Sequence, residues 1–304
     1  MGLNDIHNLA WKVNLQDRTP ANSMILDTYE SERKEAAMQY INYANLTGMR
    51  TTFLSDNSDD WRPQQQQRLG IMSNPGQLRG IAEQTEYRRK FMSGLGIEYS
   101  ANMLNWSGGA SPSASPSMLH IGHRVPNISM AQVSVVVPNN SKIGNLASKD
   151  KDKVSVSKQI IRLHDFLRDP QLFQILVLVG DPIITPGVVT ALHDMDVHMR
   201  SHSSFSQRYR RRITGLQGGD LLHVLIITTS NKSLSAMPGL GFLKNYRVAV
   251  DEFGECHKKF GVDVDFGQGM VYVVRPDEIV GAVVTIGEFA TLEEYFEEFL
   301  APSL

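Results

Sequence analysis

The sequence predicts an α/β protein in which a helical N-terminal region is followed by a mixed β-sheet flanked by helices. Apolar residues recur every three or four positions in most of the first 50 residues, which is the period of an amphipathic helix. A segment rich in Gly, Ser, Ala and Pro follows these helices. Beyond it, "FQILVLVGD" and "LLHVLIITTS" are uninterrupted apolar runs, typical of strands that are buried on both faces of a parallel sheet.

The first predicted helix is "GLNDIHNLAWKV", which begins at the second residue. Asn4 and Asp5 lie in its first turn, where an acceptor or a negative charge suits the exposed N–H groups. Because a small domain rarely begins with such a helix, we expect its apolar face to pack against another surface. Five apolar residues share that face: Leu3, Ile6, Leu9, Ala10 and Val13.

Two more helices and a linker complete the predicted N-terminal region. The helices are "SMILDTYESERKEAAMQYINYANL" and "PGQLRGIAEQTEYRRKFMSGLG", and the second ends at Gly94 and Gly96. The linker "SGGASPSASPSM" (Ser107–Met118) has too few apolar residues to offset the entropy of ordering it. We therefore predict three parts: residues 1–106, a flexible linker at 107–120, and a C-terminal domain at 121–304.

The C-terminal domain is predicted to alternate strands and helices. Val133–Val137 is a strand, "LHDFL" is a short helix, and a helix runs from Pro186 to about His198. "NLASKDKDKVSVSK" is predicted to be a surface loop and "AVDEFGECHKKFG" a helix. "MVYVVRP" and "IVGAVVTIG" form a hairpin that turns at Asp277–Glu278, before the terminal helix "TLEEYFEEFLA". This is the order of elements of a thioredoxin fold, with a parallel central pair and an antiparallel edge.

Composition excludes several classes of protein. The 304 residues are 41% hydrophobic and 20% charged, with a net charge of −2 and a pI near 6.5. That balance does not draw a chain to nucleic acid or to an anionic membrane. The single cysteine, Cys256, excludes a disulfide framework. The N-terminus has no apolar signal segment and the longest apolar runs are too short to span a bilayer, so we expect a cytoplasmic protein without a membrane partner.

A thioredoxin-like domain of this sequence is expected to be inactive in redox chemistry. Redox activity needs a Cys-x-x-Cys pair where the second strand meets the second helix. That junction reads "VGDPIITPG" and contains no sulfur, and the proline that usually precedes the hairpin is missing from "GVDVDFGQGM".

No other motif predicts a catalytic or metal site. Cys256 and His257 are neighbours on a predicted helix, so their side chains point about 100° apart. His198 and His202 in "HDMDVHMRSH" have the spacing of a helical zinc pair but no third ligand, so we expect a solvated face. "RYRRR" (Arg208–Arg212) is expected to be a solvated loop rather than a nucleic-acid site. The glycines of "GLG" and "GQGM" are expected to form turns rather than phosphate-binding loops.

Several segments resemble the FAD-dependent aromatic hydroxylases of the phenol 2-monooxygenase type. The first helix matches the family pattern G-x-x-D-x-x-N-L-x-W-K, which follows a Gly-x-Gly-Met-Asn turn in those enzymes. "LDTYESER", "SGLGIEYSANML" and "GHRVPN" resemble the stretches that come next, although Glu35 stands where proline is common. "KKFGVD" followed by "MVYVVRPDEIVG" resembles the signature hairpin, with Glu278 where glycine is usual. The matching positions of the first helix are Gly2, Asp5, Asn8, Leu9, Trp11 and Lys12.

The resemblance implies a function and a missing partner. The parent reaction hydroxylates a phenolic or other aromatic substrate with FAD, NAD(P)H and O2, in a homodimer held by the redox-inactive C-terminal domain. Met1, Gly2 and Asp5 would approach the flavin through backbone groups at the helix N-terminus. The motifs that cradle FAD phosphates would precede Met1, so residues 1–106 would be a helical remnant of the FAD domain.

Two functional hypotheses remain open. We expect the C-terminal part of a monooxygenase that is inactive alone and has a longer functional polypeptide, or a second chain that supplies the flavin domain. The alternative is a non-catalytic dimerisation or accessory protein with a thioredoxin-like fold. The flavin content of the purified chain distinguishes the two hypotheses.

Overall fold

The N-terminal region contains the first two predicted helices. Helix α1 is Gly2–Arg18 and helix α2 is Asp27–Ser55, with a short 3-10 helix at Ser23–Ile25 between them. The 3-10 helix begins where the Asn22 side chain accepts a hydrogen bond from the backbone N–H of Met24. The computed structural model describes residues 2–19, 21–55, 94–106, 108, 119–136, 155–213, 216–230, 234, 239–263 and 269–301, with the backbone alone at 42–55, 132–136, 155–158 and 210–218.

Some sequence predictions fall outside the described residues. The third helix, predicted for residues 75–96, is described only at its end, where a turn includes Gly94 with a positive φ of 76°. Nearly all of the linker at 107–120 also lies outside the described residues. The domain boundaries therefore stay predictions.

A seven-stranded mixed sheet forms the centre of the molecule, in the order β2-β1-β7-β6-β3-β8-β9. The central neighbours β7, β6 and β3 run parallel, and every other pairing is antiparallel. A separate hairpin pairs β4 with β5. The mixed sheet confirms the predicted fold class. The strands are β1 Ser129–Val136, β2 Ser155–Arg162, β3 Phe173–Val179, β4 Arg210–Ile213, β5 Leu216–Asp220, β6 Leu222–Thr228, β7 Arg247–Val250, β8 Met270–Val274 and β9 Val280–Thr285.

Helices and connecting segments cover both faces of the sheet, which explains the uninterrupted apolar character of β3. Phe173 and Val177 of β3 belong to the hydrophobic cluster that also contains Trp11 of α1. Leu176 lies in a second cluster on the opposite face, together with Phe260. A strand covered on both faces has no polar side, so its sequence does not alternate. The remaining helices are α3 Leu163–Phe166, α4 Gly187–Arg200, α5 Phe205–Arg208, α6 Glu255–Phe260 and α7 Phe289–Glu297, with a 3-10 helix at Gly241–Asn245.

Two strands and one basic segment differ from the sequence predictions. Strand β2 begins at Ser155, inside the predicted loop, because its polar residues suit the exposed edge of the sheet. Strand β7 occupies Arg247–Val250, so the helix predicted from Ala249 begins only at Glu255. The predicted solvated loop at Arg208–Arg212 is wrong, since this segment forms the end of α5 and most of β4.

The hairpin β8–β9 turns where the sequence predicts. Glu278 has a positive φ of 66°, which the turn requires. The preceding segment is held against this hairpin by Gly122, whose N–H donates to the carbonyl of Val280 and whose carbonyl accepts from Tyr99. A Cβ atom at Gly122 would lie 2.1 Å from the Tyr99 carbonyl oxygen, so only glycine fits this crossing. Tyr99 is thereby held close to the hairpin.

Candidate functional site

The first turn of α1 contains the residues predicted to approach a flavin. Gly2 is exposed, and nothing lies within 4 Å of the Cβ position that another residue would place there. Asp5 directs its carboxylate towards α2, where it accepts a hydrogen bond of 2.6 Å from Arg33 Nε. Met1 lies outside the described residues. An open helix N-terminus with free backbone donors fits the edge of a polar ligand, and here the backbone rather than the Asp5 carboxylate is available for it.

The pair Asp5–Arg33 is part of a chain of contacts that secures the first turn. Arg33 Nη1 donates to the hydroxyl of Tyr99 at 2.7 Å. Burial raises the pKa of Tyr99 to about 12, even though the nearby Arg33 charge opposes that change. The phenol therefore stays neutral near neutral pH. The first turn is tied through α2 to the segment that Gly122 holds against the hairpin.

The apolar face of α1 is exposed along most of its length. Leu3 is 85% exposed and Ile6 is 65% exposed, whereas an ordinary amphipathic helix buries such a stripe. Leu9, Ala10 and Val13 are exposed as well. These exposures agree with the expectation that this face packs against another surface. No segment in the described part of the chain covers it.

The opposite face of α1 is buried, and it carries the polar side chains of Asn8 and Lys12 beside the apolar Trp11 and Leu15. We call the group on which it packs the buried charge cluster; it joins α1, α2, the segment at 102–105 and the β8–β9 hairpin. Its Glu32 and Arg275 are 243 positions apart in sequence, and both are at most 1% exposed. The members of the buried charge cluster are Asn8, Lys12, Glu32, Asn102, Asn105, Arg275 and Asp277.

Arg275 lies at the centre of the buried charge cluster. Its Nη1 and Nη2 donate to the two carboxylate oxygens of Glu32 at 2.6 and 3.0 Å. Its Nε and Nη2 donate to the two oxygens of Asp277 at 3.0 and 2.6 Å. Both carboxylates are therefore held in a bidentate geometry, the strongest arrangement that arginine offers. Burial alone would lower the pKa of Arg275, but Asp277 and Glu32 raise it well above the usual value.

Helix α1 enters the buried charge cluster through Asn8 and Lys12, which lie one turn apart. Asn8 Nδ2 donates to Glu32 at 2.8 Å and to Asp277 at 3.1 Å. Lys12 Nζ donates to Glu32 at 2.8 Å and to the side-chain oxygen Oδ1 of Asn8 at 2.9 Å. Two positive and two negative charges balance within the cluster, so no net charge is buried.

The buried environment shifts the pKa of Lys12 and of Glu32, the two members of the cluster on α1 and α2 that carry a charge. Burial lowers the pKa of Lys12 to about 8, against the attraction of Glu32, which raises it. Burial would raise the pKa of Glu32, but the Arg275 charge and its hydrogen bonds lower it far below the usual value. Glu32 is therefore ionised at all ordinary pH values, whereas Lys12 loses its proton in mildly alkaline solution.

Trp11 connects the buried charge cluster to the apolar core. The Arg275 guanidinium lies 5.2 Å from the centre of its ring, a cation–π distance. The ring also meets Phe173 of β3 edge to face, with the ring centres 5.7 Å apart. The indole N–H of Trp11 is buried without a hydrogen-bond partner within the described part of the chain.

The remaining sequence candidates form structural contacts. Cys256 is fully buried, and burial raises the pKa of its thiol far above the usual value. His257 directs Nδ1 to Asp251 at 2.8 Å and Nε2 to the Val179 carbonyl at 3.1 Å, so it does not face Cys256 as a base. His198 bonds to Glu293 rather than to a second histidine.

The described residues include neither a metal-ligand group nor a membrane-spanning helix. Among them, no group of three or more His, Cys, Asp or Glu side chains is arranged to hold a metal ion. Within the same residues, none of the helices has the length and apolar character that crossing a membrane requires.

Of the basic segment at 208–212, Arg208 is paired with Glu293 and Glu297 of α7.

Comparison with known proteins identifies the family. Residues 97–304 match the family described as phenol hydroxylase, C-terminal dimerisation domain. The chain belongs to this family. A match over two thirds of the chain confirms the resemblance to the C-terminal part of FAD-dependent aromatic hydroxylases. Residues 97–104, which contain Tyr99 and Asn102 of the contacts described above, lie within the matched range.

The relatives of this chain include a monooxygenase. The 3-hydroxybenzoate 4-monooxygenase of Comamonas testosteroni is 25% identical over 325 residues, which cover 98% of this chain and 43% of that protein. The chain thus spans less than half the length of that relative. Among solved structures, BexE aligns over the whole chain at 15% identity with a TM-score of 0.44, and RebC-10x aligns over 92% of it at 16% identity with a TM-score of 0.41. These cover 40% and 38% of the respective structures.

The family motifs quoted from the sequence meet in space. Asn8, Trp11 and Lys12 come from the first motif, and Glu32 comes from "LDTYESER". Asn102, of the third motif, donates to Glu32 at 3.0 Å. Sequence reasoning missed the buried charge cluster, although all of its members except Asn105 stand in the matched motifs. Charged and amide residues in otherwise apolar motifs are the signal that could have indicated it.

Proposed function

We propose that this chain is the C-terminal part of an FAD-dependent monooxygenase that hydroxylates a phenolic or other aromatic substrate. The exposed apolar face of α1, beside an open helix N-terminus, carries the proposal. Membership of the phenol hydroxylase dimerisation family and the relation to a monooxygenase support it. They favour this function over a non-catalytic accessory protein.

The overall reaction uses two electrons from NAD(P)H and one molecule of O2. One oxygen atom enters the aromatic ring as a hydroxyl group and the other leaves as water. FAD, when bound, supplies the oxidising chemistry. Met1, Gly2 and Asp5, in the first turn of α1, would hold the flavin through backbone N–H groups.

The flavin domain covers the exposed apolar face of α1 in this proposal. Four of its five apolar side chains are Leu, Ile or Val, each contributing on the order of 1.5–3 kcal/mol when fully buried, which is enough free energy to hold such a contact. The chain contains no Gly-x-Gly-x-x-Gly sequence to cradle the FAD phosphates. We therefore propose that this chain by itself neither retains FAD nor hydroxylates a substrate, and that it works as a homodimer through residues 121–304.

The first experiment compares this chain with a polypeptide that also carries the flavin domain. The chain alone is expected to show no flavin absorbance, and the longer polypeptide is expected to show stoichiometric flavin and NAD(P)H consumption that depends on an aromatic substrate. The first substrate to test is 3-hydroxybenzoate, named for the Comamonas relative, with phenol beside it; isotopically labelled O2 reports transfer of one oxygen atom. Stoichiometric flavin or hydroxylation in the chain alone contradicts the proposed inactivity.

A second experiment tests the exposed face directly. Ile6→Asp places a charge in the centre of that face and is expected to lower flavin occupancy of the longer polypeptide several-fold. Ile160→Asp is the matched control, because Ile160 is 78% exposed on strand β2 and lies outside α1. Equal flavin occupancy in both variants would contradict a contact between the flavin domain and α1.

A further inference from the structure

The buried charge cluster constrains α1 in a way that apolar packing does not. Apolar contacts are non-directional, so they fix the rotation and axial position of a helix less sharply than hydrogen bonds do. Asn8 and Lys12 instead donate to Glu32 and Asp277 at 2.8–3.1 Å. Any rotation of α1 or shift along its axis would leave a buried carboxylate without these donors, which is costly.

The carboxylates that accept hydrogen bonds from α1 are themselves oriented by the β8–β9 hairpin. Arg275 holds both oxygens of Glu32 and both oxygens of Asp277. Asn105 Oδ1 accepts a further hydrogen bond of 2.7 Å from Arg275 Nη1. The guanidinium has no freedom to turn, because all these contacts and the Trp11 ring surround it. The acceptors for α1 are thus set by the dimerisation domain and not by the helices alone.

The buried charge cluster lies close to the first turn of α1. Gly2 stands six residues before Asn8, which is about 9 Å along the helix axis. The bond between Asp5 and Arg33 supplies a second tie within that distance. The position of Asn8 and Lys12 therefore determines where the first-turn N–H groups point.

We propose that Arg275 and Asp277 of the dimerisation domain are positioning residues for the cofactor end of α1. They act through Glu32, Asn8 and Lys12, and they set the rotation and axial position of the helix that brings Gly2 to the flavin. The proposal rests on the proposed function for the flavin contact, but not for the positioning of the helix. It gives the C-terminal domain a part in flavin chemistry in addition to dimerisation.

Two variants separate positioning from simple stabilisation. Arg275→Lys keeps the charge but cannot bind two carboxylates in a bidentate manner. The double variant Glu32→Met with Arg275→Met removes one charge of each sign and keeps apolar volume, so Lys12 and Asp277 stay balanced. Arg124→Met is the matched control. Arg124 forms a similar pair with Glu278 on the same hairpin, at 2.6 and 3.0 Å, and no described hydrogen bond joins it to α1.

The first measurement is hydrogen exchange of this chain. In both variants the amides of α1 are expected to exchange about tenfold faster, whereas those of β3 change less than about threefold. The control is expected to leave α1 unchanged. Unchanged exchange in α1, or an equal increase in α1 and β3, would overturn the proposal, because the cluster would then either not hold the helix or only stabilise the whole fold.

The second measurement is the flavin absorbance and circular dichroism spectrum of the polypeptide that carries the flavin domain. Both variants are expected to change the spectrum of bound flavin or to lower its occupancy, and Arg124→Met is expected to leave both unchanged. A normal flavin spectrum in a variant with a loosened α1 would overturn the positioning role. Absence of flavin from the wild-type polypeptide would instead contradict the proposed function, so the two failures are distinguishable.

Discussion

The two faces of helix α1 have opposite surroundings, and neither is what its side chains alone would predict. Leu3 and Ile6 are 85% and 65% exposed, whereas Asn8 and Lys12 are at most 1% exposed. The polar face is buried because it finds complementary charges on α2 and on the β8–β9 hairpin. The apolar face finds no surface of its own kind among the described residues. An apolar stripe by itself therefore does not show which face of a helix the fold buries.

The two faces also differ in what a substitution should do. On the buried face, removal of one charge leaves its partner unpaired away from water, which is among the most destabilising changes known. On the exposed face, a substitution changes little in this chain and shows its effect only in the presence of a covering surface. The following predictions use this contrast.

Glu32→Ala is expected to have the largest effect. It leaves Arg275 with one carboxylate partner and Lys12 without its carboxylate partner, so the free energy of unfolding should fall by about 3–5 kcal/mol. Denaturant unfolding monitored by circular dichroism measures this fall. Glu30→Ala is the control, because Glu30 is exposed on the same helix. A loss below about 1 kcal/mol would mean that solvent reaches the buried charge cluster and screens it.

Lys12 gives the buried face a pH dependence. Its pKa is about 8 in the folded protein and 10.5 in the unfolded chain, so between these values the unfolded chain binds more protons. The free energy of unfolding should therefore rise with pH in this window, by on the order of 3 kcal/mol for this group. The measurement is the difference between wild type and Lys12→Met across pH 7 to 11, since other groups titrate equally in both. Parallel curves would show that Lys12 titrates normally in the fold.

At acid pH the same face should lose stability. The pKa of Glu32 is lowered in the fold, so its contribution is complete above its usual pKa and is lost as the pH falls below that value. Acid titration of wild type against a Glu32→Gln variant measures this contribution. The variant should show the smaller dependence on pH, and an equal dependence would contradict the strong pairing of Glu32 with Arg275.

Substitution of the exposed face should have a smaller effect in this chain. Ile6→Asp is expected to change the free energy of unfolding by no more than about 0.5 kcal/mol, because the Ile6 side chain is already exposed. Thermal unfolding of the chain alone is the measurement. A loss of several kcal/mol would show that this face is covered within the chain itself.

Cys256 lies on α6, outside both faces of α1, and its substitution serves as a reference for theirs. Its thiol is buried and has no second cysteine to pair with, so Cys256→Ser should leave turnover of the parent enzyme nearly unchanged. The cost should appear only in stability, at about 1–3 kcal/mol for burial of a hydroxyl in an apolar site. A large loss of turnover in a folded variant would contradict this expectation.

Elements with strong local signals could be predicted from the sequence. Strands β3 and β6 are continuous apolar runs, and the Asp277–Glu278 turn separates two such runs, so their type and position were predictable. Strand β2 was not, because "SVSKQIIR" is polar enough to resemble a loop and becomes a strand only by pairing with β1. The four residues of β7 are likewise too short to give a periodic signal.

The candidate site divides in the same way. The sequence by itself determined that α1 is amphipathic, that its motifs resemble those of aromatic hydroxylases, and that its first turn has the features of a ligand-binding helix N-terminus. Only the tertiary structure decided which face is buried, and that Glu32 and Asp277, both held by Arg275, accept the hydrogen bonds of α1. Periodicity reports local spacing along the chain, whereas a buried ion cluster depends on charges 243 positions apart that become neighbours when the chain folds. A charge is stable away from water only when such a partner is present, and the fold decides which residue supplies that partner.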